Sequence, residues 1–165
     1  MRRIIPDAGM REGVGVFFLF LSIYVLTRSQ YFTGDTFYYA HQVDTWILYR
    51  QRIYEFFHPA HVLVVPIAVL FSLLLKTIFH RDTLMAMGVM AAALGAGLLS
   101  FFHASLRRIG ISFWNSFLLT SILGLSFGFW DYGTVGEDRI QGFFPSWAFF
   151  FYSFRPGLKR KKALI

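Results

Sequence analysis

No cysteine occurs in the 165 residues, which excludes structural disulfides, thiolate metal sites and thiol nucleophiles and leaves the redox compartment unread. Charge is scarce as well. Asp, Glu, Lys and Arg make up 15% of the chain, where a soluble domain usually carries about 25% and needs them to stay dispersed. The residue patterns of soluble-enzyme chemistry are missing. There is no Walker lysine, no Gly-x-Ser-x-Gly and no His-Glu-x-x-His, and Gly13-Val14-Gly15 lacks the rest of a dinucleotide fingerprint. Internal repeats and Ser- or Pro-rich linkers are also absent.

What is present is apolar and aromatic. Hydrophobic residues reach 56%, with 21 Phe and 8 Tyr, and the mean hydropathy is +0.52. That exceeds what one aqueous core of this size buries, so lipid is the expected solvent. The formal charge of +7 does not point to nucleic acid, because no basic and aromatic stripe lies on a water-facing helix. The basic residues gather at the ends of apolar runs instead: Arg2, Arg3 and Arg11; Arg107 and Arg108; Arg155 and Lys159 to Lys162. Cytoplasmic loops place Lys and Arg in this way and so fix orientation.

Five runs are candidates for membrane helices: Val14–Thr27, Ala60–Phe79, Leu84–Phe102, Ile111–Trp130 and Phe143–Phe154. A spanning helix needs about 20 residues, so the middle three fit best. Val14–Thr27 follows a basic segment but lacks a small-residue cleavage site, so it reads as an uncleaved first span with Tyr24 and Tyr31 near its outer end. If all five runs cross, Arg107, Arg108 and the Lys159–Lys162 cluster fall outside, against the usual charge bias. If Ala60–Phe79 lies in the interface or dips in and returns, every basic cluster falls inside. Pro59, Pro66, Lys76 and His80-Arg81 all permit that reading.

The expectation is therefore an all-α polytopic membrane protein. It has three to four transmembrane helices, with juxtamembrane helices in the first outer loop. Residues 1–13 form a cytoplasmic N-terminus, 14–154 the membrane domain and 155–165 a basic cytoplasmic tail. The bilayer is the plasma membrane of a bacterium or archaeon. Small residues in the third run (Gly88, Ala91, Ala92, Gly95, Gly97) form a helix-packing face.

Three polar constellations could carry chemistry. In Thr33-Gly34-Asp35-Thr36, Asp35 suits a general base for an acceptor hydroxyl, while the local sequence favours Asp35 or Thr33 as a cap for the helix beginning near Phe37. In His58-Pro59-Ala60-His61, two histidines three apart at a helix start could ligate a metal or hold a phosphate, or simply hydrogen-bond at the interface. The stretch Trp130 to Arg139 joins Asp131, Glu137 and Asp138 with Arg139. Such a set could orient a phosphate-linked donor or bind a divalent cation, or be a solvated loop with a surface ion pair.

Taken in order, these pieces resemble the N-terminal part of a GT-C-type polytopic membrane glycosyltransferase, as in the protein O-mannosyltransferases and glycosyltransferase 39-like proteins. The resemblance runs from Val14 to about Phe154. It is carried by Gly34-Asp35 after a first span, by His58-Pro59-Ala60-His61 heading a hydrophobic helix, by Arg107-Arg108-Ile109-Gly110 closing a small-residue helix, and by Phe129-Trp130-Asp131-Tyr132 through Glu137. It implies transfer of a sugar from a polyprenyl-phosphate-linked donor to an acceptor hydroxyl on the outer face. Asp35 would be the base, and His58, His61, Glu137, Asp138 and Arg139 would contact donor or acceptor. Where many relatives read Glu-x-Tyr-x-x-Ala, this chain has Glu137-Asp138-Arg139-Ile140-Gln141-Gly142. Family enzymes have many more helices, so the resemblance implies a half or fragment that another membrane chain would complete. The reading from a different class is a non-enzymatic multi-pass protein, an accessory subunit or transporter component.

Overall fold

The computed structural model describes residues 6–28, 33–49, 64–79 and 82–135. They form six helices and, among the described residues, no strand: α1 Pro6–Thr27, α2 Gly34–Tyr49, α3 Val64–Phe79, α4 Thr83–Arg108, α5 Phe113–Leu125 and α6 Phe127–Thr134. Two are long and apolar enough to cross a membrane, Gly9–Thr27 and Thr83–Arg108. A third crossing exists if α5 and α6, bent by 68° at their junction, form one broken span. The all-helical membrane architecture expected from the sequence is the one observed. Phe143–Phe154, Arg2, Arg3 and the basic 155–165 tail lie outside the described residues, whereas residues 6–13 of the expected N-terminal segment are the opening turns of α1.

Helix α4 is the axis of the fold. Its 26 residues extend about 39 Å at the helical rise, more than the roughly 30 Å hydrocarbon core. Asp82 caps its start, accepting from the Met85 backbone N–H at 2.7 Å. Its end is closed by Gly110, whose φ of +94° suits glycine alone. There the Gly110 N–H reaches the Arg107 carbonyl and the Ile111 N–H reaches that of Leu106, the paired bonds of a Schellman stop. Ser112 then caps α5, so residues 109–112 make a tight helix–helix corner.

Helix α1 lies antiparallel to α4. Gly9 meets Arg107, Gly13 meets Ser100, and Tyr24 meets Gly95. The Ser100 hydroxyl donates to the Gly13 carbonyl at 2.8 Å. The N-terminal end of α1 and the C-terminal end of α4 are thus at the same end of the molecule. One core cluster, Val16, Phe20, Tyr24, Ala92, Ala96 and Leu99, joins these two helices, with Phe117 of α5 and Phe129 of α6 packed against it. The small residues of α4 serve this internal packing: Gly95 touches Tyr24 and Gly133, and Ala92 is buried beneath α1.

Helix α3 has 16 residues, short of the roughly 20 that a span requires. It packs with α2 against the first turns of α4 through Tyr39, Val43, Val65, Ala68, Met87 and Met90. Leu70, Leu73 and Leu74 leave its other side exposed. The run Ile111–Trp130, read from sequence as one helix, is broken at Ser126. Gly124 and Gly128 flank the break and weaken the helix locally, and the Ser126 hydroxyl takes the Leu123 carbonyl at 2.6 Å.

Candidate functional site

At the start of α2 the helix begins at Gly34, three residues before the expected point. Thr33 is the cap: its hydroxyl accepts from the Thr36 N–H at 3.3 Å, and its carbonyl accepts from the Phe37 N–H. Thr36, fully buried, also bonds the Thr33 hydroxyl at 3.0 Å. Asp35 is left exposed in the first turn, with no hydrogen bond or ion pair among the described residues. Of the two capping candidates, Thr33 has the role, and the Asp35 carboxylate is open to solvent and solutes. His58, His61, Glu137, Asp138 and Arg139 lie outside the described residues.

Two acidic segments converge on the first turns of α4. From α2, Asp44 accepts a hydrogen bond from the Thr83 hydroxyl at the first residue of α4. From the other side, α6 returns along α4 until Thr134 lies beside Gly88, where a β-carbon would stand 3.9 Å from the Thr134 carbonyl. Val135 is buried there, and the chain passes on toward Glu137. Asp131 and Tyr132 are half-buried on the same short helix. Asp44 and Asp82 therefore sit at the α4 start, while Arg11, Arg107 and Arg108 sit toward its end. Among the described residues no three His, Asp or Glu side chains are grouped to hold a metal ion.

The opposite end contains a polar cluster that the sequence reading did not single out. Glu12 of α1 receives two bonds from Arg107, Nε to Oε2 at 2.6 Å and Nη2 to Oε1 at 3.2 Å. Arg107 Nη1 donates to the Ile111 carbonyl at 2.8 Å, tying the corner between α4 and α5. Behind this pair, His103 is fully buried. Its Nδ1 lies 2.9 Å from the Ser116 hydroxyl of α5. Its Nε2 lies 3.5 Å from Glu12 Oε2, within ion-pair range but without hydrogen-bond geometry. The signal in the sequence was a His and an Arg four apart on an apolar helix, hence on one face, with Glu12 in the opening turns of α1. Its position between three helices, with His103 and Ser116 sealed from solvent, makes it an interhelical clamp.

Tyr24 supplies a further buried polar contact. Its hydroxyl donates to the Gly124 carbonyl at 2.7 Å, and its ring fills a slot between Gly95 and Gly133. Nearby, the Trp130 indole N–H donates to the Thr27 hydroxyl at 2.9 Å. No known protein family matches the chain, and no curated protein or solved structure matches it.

Proposed function

We propose that the chain is the acceptor-side part of a GT-C-like membrane glycosyltransferase. In this reading it crosses the plasma membrane more than once, with its N-terminus and the Arg107 end cytoplasmic. A sugar leaves a polyprenyl-phosphate carrier at the outer face for an acceptor hydroxyl, and Asp35 takes the hydroxyl proton. The segment after Val135, with Glu137, Asp138 and Arg139, faces the donor phosphate, and His58 and His61 contribute from the second segment. Another membrane chain, or further helices, encloses the carrier lipid.

The observation that supports this reading is the convergence of α2 and α6 on the start of α4, at the end away from the arginines. Asp44 of α2 and the Thr134 end of α6 are thus neighbours of the same turns of α4, which is compatible with the single outer face that the resemblance implies. The exposed carboxylate of Asp35, free of capping work, adds to it.

The test is transfer of a lipid-linked sugar by the chain together with its completing partner. Asp35→Asn should abolish turnover with expression and folding unchanged. Turnover at the unmodified rate in that variant would end the catalytic role of Asp35. The 165-residue chain alone should release no product, since one wall of a site does not exclude water from the reacting groups. Robust turnover by the monodisperse single chain would overturn the two-part reading.

A further inference from the structure

The break between α5 and α6 leaves a backbone problem at membrane depth. In an unbroken helix the Gly124 carbonyl would accept from the N–H of residue 128. The helix is interrupted at Ser126, so that bond is missing, and Gly124 is buried. A carbonyl without a partner in hydrocarbon costs several kcal/mol, and lipid supplies no donor. The donor present is the Tyr24 hydroxyl, at 2.7 Å from a helix 100 residues away in sequence. The Tyr24 ring packs closely on Gly95 and Gly133, where added β-carbons would lie 3.2 and 3.0 Å from it. The same face of α1 holds the Trp130 indole through Thr27.

We infer that Tyr24, seconded by the Thr27–Trp130 bond, holds α5 and α6 in their bent arrangement and so fixes where the chain leaves Val135. Tyr24 is then a positioning residue. It satisfies the carbonyl that the bend exposes and stabilises the bent form over a straight span. This deepens the transferase reading, because the segment leaving Val135 is the one assigned to the donor. The bend itself exists or fails independently of any activity.

Because the chain has no cysteine, spin labels can be placed as a single pair. Cysteines at Trp114 and Asp131 bracket the break. With about 1.5 Å rise per residue and the 68° bend, their backbone separation is about 22 Å, against about 26 Å in a straight helix. A control pair at Val14 and Ile109 reports whether α1 and α4 remain docked. In Tyr24→Phe, which keeps the ring and removes only the hydroxyl, the first distance should lengthen toward 26 Å while the control pair is unchanged. A distance distribution identical to that of the parent chain would overturn the inference. If Tyr24→Phe also moves the control pair, Thr27→Val, which removes the indole's acceptor and the hydroxyl's local bond to the Ile23 carbonyl, is read in its place with the same two outcomes. A lengthened distance in Tyr24→Phe, with no sugar transfer by the parent chain and its completing partner, would count against the transferase reading and leave this one standing.

Discussion

Thr33 and Asp35 are two residues apart, and their side chains have separate roles. The Thr33 hydroxyl and carbonyl satisfy N–H groups of the first turn of α2. Thr33→Ala should therefore weaken α2 by about 0.5–2 kcal/mol, lowering the melting temperature. Asp35→Asn should leave the melting curve in place while affecting transfer. Equal thermal losses in the two variants would assign Asp35 a structural role. At the other end, Ser116→Ala leaves His103 Nδ1 buried without its partner, a cost of roughly 1–3 kcal/mol. Ser116→Ala in detergent should melt earlier than the parent chain, and an unchanged melting temperature would remove Ser116 from the clamp. Arg107→Lys keeps the charge but loses the forked contact with Glu12. It should therefore separate α1 from the α4–α5 corner more readily in denaturant.

At the scale of elements, the helices were legible because apolar runs and their punctuation are local. Asp82 and Ser112 each precede a run and cap it, and Gly110 stops one. Charge bias argues that Ala60–Phe79 does not cross, and of that run the described helix covers Val64–Phe79. What sequence could not give was set by contacts between helices. The break at Ser126 depends on Tyr24, which reaches Gly124 from the first helix. The Glu12–Arg107 pair joins residues 95 apart. Of the small residues of α4 expected to form a packing face, Gly88, Ala91, Ala92 and Gly95 are buried against neighbours, but that Gly95 meets α1 and α6 is a tertiary fact. Gly124 is the sharpest case: a β-carbon there would lie 2.5 Å from the Phe20 ring and 2.6 Å from Leu99. Both neighbours are buried and have nowhere to go. Gly124→Ala should cost about 1–3 kcal/mol through overpacking, read as a lower denaturation midpoint, whereas Gly15→Ala, with open space around it, should not.

For the whole molecule, one asymmetry organises the rest. Arg11, Glu12, Arg107 and Arg108 gather where α1 begins and α4 ends, joined by the Glu12–Arg107 pair. Asp44 and Asp82 gather where α4 begins, bonded to its first turn. The transferase reading requires the arginine end inside and the α2 face outside, the orientation that a cytoplasmic bias of Lys and Arg favours. The most direct measurement is the side from which single cysteines are labelled in a sealed membrane, in a chain that has none of its own. Met10 and Ile109, exposed at the arginine end, and Phe37 and Tyr49, exposed on α2, are the positions to replace. The account predicts that an impermeant maleimide added outside labels positions 37 and 49 but reaches 10 and 109 only after the membrane is opened. Labelling of 37 or 49 from the same side as 109 would contradict it.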